Sequence, residues 1–105
     1  MINSEYLNDF EEALNKMYEI CQKKNADYAD ISDPFRNFRM VEQMWLCTVE
    51  QWLLVRMSDK MSRISNLLEK EAQVNDESIE DTLIDLANYS IILKLYIQWK
   101  TKSKK

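Results

Sequence analysis

The sequence predicts an all-α protein: an antiparallel bundle of three long helices and one short helix, completed or extended by oligomerisation. Two features of the composition support this fold class. The 105 residues include no glycine and a single proline, which nearly excludes left-handed turns and tight hairpins. Apolar residues make up 46% of the chain and charged residues 30%, a balance that favours long amphipathic helices. We therefore expect a single domain over residues 1–105 with a modest core.

The first half of the chain contains one long predicted helix, a loop and one short predicted helix. Apolar residues recur every three or four positions from Ser4 to Lys24, with acidic residues early and lysines late, as the helix dipole favours. Turn-forming residues fill the segment Asn25–Asn37, which holds the only proline, Pro34. A short helix is predicted from Phe38 to Leu46.

Two long helices make up the second half of the chain. Thr48 and Gln51 have the spacing of a capping box, which predicts a helix that begins at Thr48 and ends near Glu71. After a short turn over residues 72–76, the last helix is predicted from Glu77 to Trp99. Two long helices joined by so short a turn must lie antiparallel.

Composition also excludes several function classes. The net charge of −4 and the pI of about 4.8 argue against a duplex nucleic-acid partner. No apolar run reaches the length of a membrane span, and histidine-based metal or nucleophile sites are excluded because the chain has no histidine. We expect Cys21 and Cys47 to be reduced core thiols of a cytoplasmic protein. The basic run Lys100–Lys105 is expected to be a solvated, frayed tail.

Acidic residues form a line along the last predicted helix. Glu77, Asp81 and Asp85 are spaced i, i+4 and i+8, so they project from one face and repel one another. Asp85 interrupts a segment that is otherwise almost wholly apolar, and an acid in that position needs a cation. Asp59, on the neighbouring helix, can face the same line, and four carboxylates form an all-oxygen site that suits Mg²⁺ or Mn²⁺.

Basic residues accompany Asp59 on the preceding helix and leave two interpretations open. Arg56, Lys60 and Arg63 have the charge to hold phosphate groups beside a metal. Alternatively, Arg56 and Arg63 pair directly with Asp81 and Asp85 in an ion network between helices, which is a purely structural role.

The predicted loop is rich in aromatic residues, and it also has two interpretations. The rings either close the end of the bundle or stack on a flat ligand whose edge nearby polar groups contact. The residues concerned are Tyr28, Phe35 and Phe38, with Lys24, Asp27, Arg36 and Asn37 beside them.

Four short motifs occur in a fixed order from about Lys24 to Tyr89. They are Lys24-x-x-Asp27-Tyr28, Asp33-Pro34-Phe35-Arg36-Asn37-Phe38, Arg56-x-x-Asp59-Lys60-x-x-Arg63 and Glu77-Ser78-Ile79-x-Asp81-Thr82-Leu83-x-Asp85-Leu86-Ala87-Asn88-Tyr89. This ordered set resembles the phage-associated family called nucleotide modification associated domain 1. That family in turn resembles the all-α nucleoside triphosphate pyrophosphohydrolases of the MazG and dimeric dUTPase group.

The resemblance implies a dimeric or tetrameric helical bundle that hydrolyses a nucleoside triphosphate to the monophosphate and pyrophosphate with Mg²⁺. Each expected role is carried over to matching residues of this chain. The metal ligands would be Asp59, Glu77, Asp81 and Asp85, of which Asp59, Asp81 and Asp85 would be catalytic. The phosphate ligands would be Lys24, Arg56, Lys60 and Arg63. The base and sugar contacts would be Asp27, Tyr28, Phe35, Asn37, Phe38 and Asn88.

Two departures from the pyrophosphohydrolase pattern support an alternative without turnover. The pyrophosphohydrolases usually have a Glu-Glu-x-x-Glu motif on their second helix, whereas the helix predicted here from Thr48 to Glu71 carries only Asp59. In addition, Ala29 follows Tyr28 where related sequences tend to have glycine. A site with fewer acids fits a nucleotide sensor or sponge in phage–host conflict. A structural helical oligomer is the third hypothesis.

Overall fold

The computed structural model describes residues 3–28, 35–69 and 79–103, including their side chains except those of residues 24–28, 37 and 103. These ranges form four α-helices and no strand, which confirms the all-α prediction. The helices are α1 (Ser4–Tyr28), α2 (Arg36–Gln43), α3 (Val49–Glu69) and α4 (Ile79–Ser103).

Two helices extend beyond their predicted ends. α1 continues past Lys24 to Tyr28, so Asp27 and Tyr28 belong to its last turn and not to a loop. α4 continues past Trp99 to Ser103, so the prediction of a frayed tail is wrong for residues 100–103. The reason is an ion pair: Lys100 Nζ lies 2.6 Å from Glu50 Oε2 on α3 and anchors the last turns of α4.

The start of α3 is fixed by the predicted capping box. The Gln51 N–H donates to Thr48 Oγ1 at 3.0 Å, and the Thr48 N–H donates to Gln51 Oε1 at 3.0 Å. A third donor at this end, the Val49 N–H, is satisfied by Glu42 Oε2 of α2 at 3.0 Å. The capping box is confirmed, and the Glu42 contact ties α2 to the start of α3.

α2 ends in a left-handed turn at Trp45, although the absence of glycine nearly excluded such turns. The φ angle of Trp45 is 61°, its N–H donates to the Glu42 carbonyl, and the Leu46 N–H donates to the Val41 carbonyl. This pair of hydrogen bonds defines a Schellman motif, in which the left-handed position usually belongs to glycine. The Trp45 side chain is 94% exposed.

α3 and α4 pack antiparallel, as predicted. Glu50 pairs with Lys100, Arg56 with Tyr89 and Lys60 with Asp85, so residue numbers rise along one helix as they fall along the other. The buried core lies at one end of this pair and consists of Phe35, Val49, Leu53 and Tyr96. α2 packs mainly on α3, and α1 packs mainly on α4.

Helical spacing predicts two stripes on α3, an apolar one that includes Leu54, Met61 and Leu68 and a polar one that includes Arg56 and Arg63. The α3 face that meets α4 lies between these two stripes. Val49 and Leu53 are fully buried, and Lys60 lies on the same face two turns further along. On α4 the same spacing predicts an apolar face that includes Leu83 and Ile97. Several residues of these predicted apolar faces are largely exposed, because each helix turns a different face toward its neighbour. They are Leu54, Met61 and Leu68 on α3, and Leu83 and Ile97 on α4.

Two further expectations concern cysteines and membranes. Neither Cys21 nor Cys47 forms a disulfide, and both are partly buried. Within the described ranges, no helix has the length and hydropathy that crossing a membrane requires.

Candidate functional site

Asp85 has the cationic partner that its position demands. Asp85 Oδ2 lies 3.1 Å from Lys60 Nζ of α3, and the two side chains are only 26% and 18% exposed. Partial burial strengthens such a pair because water screens it less than at an open surface. This pair makes the middle of the α3–α4 interface charged, whereas the buried core lies at one end of the two helices.

Arg56, one turn before Lys60, lies between two aromatic rings. Its guanidinium carbon is 5.8 Å from the ring centroid of Trp52 on α3 and 5.8 Å from that of Tyr89 on α4. Its Nε donates to the Tyr89 hydroxyl at 3.4 Å, and its NH1 lies 3.8 Å from Asp59 Oδ2. The two rings and the Tyr89 hydroxyl together position the Arg56 guanidinium beside α4.

The surroundings of Arg56 keep it positively charged. The hydrogen bond to Tyr89 is the main cause that raises the pKa of Arg56 above its ordinary value, and the carboxylates of Asp59 and Asp85 add to the rise. Arg56 and Lys60 lie at i and i+4, so the two cations share one face of α3. We call Arg56, Asp59, Lys60 and Asp85 the charged cluster.

Asp81 does not join the charged cluster. Its Oδ1 lies 4.0 Å from Lys16 Nζ of α1, and both side chains are about half exposed. Asp81 therefore points toward α1, whereas Asp85, one turn later, points toward α3. The predicted acidic line is divided between two interfaces in this chain, and Glu77 lies outside the described residues.

The acids of the described residues were predicted to hold Mg²⁺ or Mn²⁺ together. Within residues 3–28, 35–69 and 79–103, no three acidic or cysteine side chains converge closely enough to hold a metal ion. Asp59 is 65% exposed beside Arg56, and Asp85 is paired with Lys60. The described part of one chain therefore does not supply a three-acid shell for a divalent metal.

Two of the predicted ligand contacts lie near the charged cluster. Arg63 is exposed on α3, one turn beyond Lys60, and Asn88 is partly buried on α4, one turn beyond Asp85. A third predicted contact, Lys24, is in the last turns of α1, where side chains are not described. The side chains of Asp27, Tyr28 and Asn37 also lie outside the described set.

The rings of the predicted loop that are described belong to the packing of the bundle end. Phe35 is 8% exposed, and its ring meets Tyr96 edge-on at 5.3 Å and Trp99 at 5.6 Å. Phe38 is partly buried against the same core. This placement agrees with the first interpretation of the loop, in which the rings close the end of the bundle.

Three partners of the predicted site residues were missed from the sequence. Tyr89 contacts Arg56, Lys16 pairs with Asp81, and Trp52 stacks on Arg56. Trp52 and Arg56 are four residues apart, a spacing that places them on one helix face, so this contact had a sequence signal. The other two join different helices, and no local spacing predicts them.

A family model matches residues 24–97 of the chain, which is more than half of its length. The chain belongs to the nucleotide modification associated domain 1 family. The matched region includes the charged cluster and the helices α2 and α3, together with most of α4. No curated protein and no solved structure matches the chain.

Proposed function

We propose that this member of the nucleotide modification associated domain 1 family binds the phosphate chain of a nucleotide at the charged cluster. We further propose that it hydrolyses a nucleoside triphosphate to the monophosphate and pyrophosphate with Mg²⁺. The observation that carries the proposal is the oriented pair of cations, Arg56 and Lys60, on the α3 face beside α4. A planar guanidinium and an ammonium group one helical turn apart can both bind oxygens of a phosphate chain.

The exposure of the two cations differs in a way that suits a phosphate ligand. The Arg56 side chain is 38% exposed, so it can reach a ligand while it stays in contact with the Trp52 and Tyr89 rings. Lys60 is 18% exposed and held by Asp85. We infer that the more exposed Arg56 makes the first contact with phosphate. The less exposed Lys60 then adds positive charge that attracts the same phosphate.

Mg²⁺ enters the proposal through the chemistry of hydrolysis and through the family resemblance to pyrophosphohydrolases. A bound divalent metal would neutralise phosphate charge and activate water. Because the described acids do not form a three-acid shell, Glu77 or acids of a second subunit would have to complete the set that Asp59, Asp81 and Asp85 begin. The proposed working form is accordingly a dimer or tetramer, in the cytoplasm of a bacterium or of a phage-infected cell.

The nucleotide base and sugar belong, in this proposal, on the side of the charged cluster toward the matched residues of α1 and α2. Asn88 is nearest in sequence to the cluster, and Phe38 has a partly exposed ring. Lys24, Asp27, Tyr28 and Asn37 complete the proposed set on sequence grounds, and Arg63 extends the phosphate contacts.

A second candidate function, nucleotide binding without turnover, is favoured by the ion pairs themselves. Asp85 lies within ion-pair distance of Lys60, and Asp59 lies near Arg56. Acids that are engaged with cations are less available to a metal, whereas the cations still attract phosphate. A sensor or sponge for nucleotides needs only that attraction.

Product analysis separates the two functions. The purified protein is incubated with Mg²⁺ and each of the common nucleoside and deoxynucleoside triphosphates, and products are identified by phosphorus NMR. The enzyme account predicts monophosphate and pyrophosphate from at least one substrate. Tight binding with the ligand recovered unchanged would support the second function, and no binding to any nucleotide would remove both.

A matched pair of variants assigns the effect to the charged cluster. Lys60→Met should weaken nucleotide binding about tenfold or more, because it removes a charge-assisted contact worth about 1.5–3 kcal/mol. Lys94→Met, the same change at an exposed lysine of α4, should leave affinity unchanged. Isothermal titration calorimetry measures both. Equal losses in the two variants would place the binding site elsewhere.

A further inference from the structure

Arg56 is held less closely by a carboxylate than its neighbour Lys60. Lys60 Nζ lies 3.1 Å from Asp85 Oδ2, and both of these side chains are mostly buried. Arg56 NH1 lies 3.8 Å from Asp59 Oδ2, and the Asp59 side chain is 65% exposed. A pair that is this open to water contributes little. The positive charge of Arg56 therefore remains available to an anionic ligand.

Two further contacts of Arg56 are with aromatic side chains, one on each helix of the interface. Its guanidinium carbon is 5.8 Å from the ring centroids of Trp52 and Tyr89, and its Nε donates to the Tyr89 hydroxyl at 3.4 Å. An indole ring and a tyrosine hydroxyl orient a guanidinium without neutralising its charge. Tyr89 thus brings α4 into contact with the cation that we expect to meet phosphate first.

The Tyr89 hydroxyl also has a hydrogen of its own to donate. A tyrosine hydroxyl accepts hydrogen bonds through its oxygen and donates one through its hydrogen. Here the oxygen accepts from Arg56 Nε, so the hydroxyl hydrogen is directed away from the guanidinium. Tyr89 is only partly buried, as Arg56 and Lys60 are. An anion that Arg56 attracts is a natural acceptor for this hydrogen.

The geometry of the guanidinium places a second donor beside the same hydroxyl. The N–H groups of arginine have fixed directions in one plane, and Nε–H shares one edge of that plane with a terminal N–H. The terminal nitrogen on this edge is not NH1, which lies near Asp59. Two acceptors at one edge of a guanidinium lie side by side, as the two oxygens of a carboxylate do. A phosphate oxygen bound by that terminal N–H is therefore within reach of the Tyr89 hydroxyl.

We propose that Tyr89 is a further phosphate ligand, whose hydroxyl accepts from Arg56 Nε and donates to the phosphate oxygen that Arg56 binds. This inference rests on the proposed binding of a phosphate chain at the charged cluster. It adds a neutral donor from α4 to the two cations of α3, so one phosphate group contacts both helices. Because the contact is with phosphate, Tyr89 contributes to affinity whichever base the nucleotide carries.

The test uses two matched substitutions in the full chain and inorganic tripolyphosphate, a phosphate chain without base or sugar. Tyr89→Phe removes the hydroxyl and keeps the ring beside Arg56, whereas Tyr18→Phe makes the same change at an exposed tyrosine of α1. Calorimetric titration without Mg²⁺ should show about tenfold weaker binding for Tyr89→Phe, the loss of one hydrogen bond to a charged group. Tyr18→Phe should bind as the wild type does, and both variants should keep the helical circular dichroism of the wild type.

The same titrations with the common nucleoside triphosphates separate this inference from the proposed function. Tyr89→Phe should weaken their binding by the same factor as it weakens tripolyphosphate binding. A wild type that binds no phosphate compound removes the proposed function and this inference together. A wild type that binds, with Tyr89→Phe equal to it, removes only the inference. A loss seen with nucleotides but not with tripolyphosphate would move Tyr89 to the base or sugar and would also overturn it.

A double-mutant cycle distinguishes a phosphate ligand from a residue that only positions Arg56. In the Arg56→Met background, Tyr89→Phe should still weaken tripolyphosphate binding, because the hydroxyl donates to phosphate directly. The loss should be smaller than in the wild type, since the contact with Arg56 is already absent. Phosphorus NMR titration measures this weaker binding. No loss at all in the Arg56→Met background would contradict direct donation and leave Tyr89 as a positioning residue.

Discussion

α1 and α3 both lie against α4, and the two helices use their amphipathic character in opposite ways. α3 buries Val49 and Leu53 against α4 and adds the Lys60–Asp85 pair in the same interface. α1 meets α4 through Lys16 and other charged residues and leaves large apolar side chains, such as Phe10 and Leu14, about half exposed. Helical periodicity alone therefore establishes that a helix has an apolar face but does not establish which molecule covers that face.

Truncation of one leucine to alanine in each helix should give the largest difference in the free energy of unfolding. Leu53→Ala removes a fully buried side chain at the end of the α3–α4 pair and should cost about 2–5 kcal/mol of unfolding free energy. Leu14→Ala removes a side chain that is 47% exposed within one chain, so in dilute protein it should cost well under half as much. Urea denaturation at low and high protein concentration measures both.

Protein concentration sharpens this first comparison. If α1 is covered by a second copy, the cost of Leu14→Ala should grow as the wild type dimerises, because the dimer gains stability with concentration. The cost of Leu53→Ala should not change with concentration. Equal costs for the two variants in dilute protein would contradict the assignment of the core to the α3–α4 pair.

Removal of one charge from each interface should give the next largest contrast. Asp85→Asn leaves Lys60 partly buried without its carboxylate and should cost about 1–3 kcal/mol, below the range for fully buried pairs. Asp81→Asn acts on a half-exposed pair at 4.0 Å and should cost less than about 0.5 kcal/mol. Thermal melting measures both. An unchanged or raised melting temperature for Asp85→Asn would instead indicate that this acid is repelled by its neighbours, as a metal site without its metal requires.

Trp45→Gly should stabilise the protein by about 1–2 kcal/mol. Trp45 holds a left-handed conformation that a side chain disfavours, and its exposed ring contributes little packing that the substitution would remove. The expected rise in melting temperature is several degrees. Trp45→Ala, which keeps a Cβ atom, should not reproduce the rise. A lower melting temperature for Trp45→Gly would show that the ring is covered in the working form.

Alkaline pH should lower the free energy of unfolding, because two titratable side chains stabilise one end of the α3–α4 pair. The hydrogen bond to Glu50 raises the pKa of Lys100, and burial raises the pKa of Tyr96. A folded-state pKa above the unfolded value adds stability that is complete below the unfolded pKa and is lost as pH rises through the folded one. Stability should therefore fall as pH passes upward through 10.0 and 10.5, the ordinary values for tyrosine and lysine.

The Lys100→Met variant isolates the lysine from the tyrosine in this pH dependence. It should be less stable than the wild type at neutral pH by about 0.5–1 kcal/mol, because its ion pair with Glu50 is partly exposed. The difference should shrink above pH 10.5. Urea denaturation at several pH values measures it, and a constant difference across the range would contradict the ion-pair account.

Local sequence patterns predicted those parts of the fold that depend on residues close together in the chain. The Thr48–Gln51 capping box and the antiparallel order of the last two helices were predicted because spacing and a short turn determine them. The need of Asp85 for a cation was also predicted, because it interrupts an apolar run. Its partner was expected to be a metal or an arginine, whereas the structure places Lys60 there.

The parts that could not be predicted depend on how helices rotate against one another. Two stripes were predicted on α3, but the face that meets α4 lies between them, which brings Lys60 rather than Arg63 to Asp85. The spacing of Asp81 and Asp85 places them on one face of α4, yet Asp81 pairs with α1 and Asp85 pairs with α3. Phe35, a candidate ligand contact by composition, lies in the core because Tyr96 and Trp99 arrive from the far end of the chain.

The most direct test of the central proposal is thermal melting of the wild type with a panel of nucleoside triphosphates, with and without Mg²⁺. Binding at the charged cluster predicts a higher melting temperature with nucleotide, and hydrolysis with Mg²⁺ predicts a shift that needs both components. The shift should disappear in Lys60→Met and persist in Lys94→Met. No shift with any nucleotide under any condition would contradict the proposal and leave a structural helical oligomer.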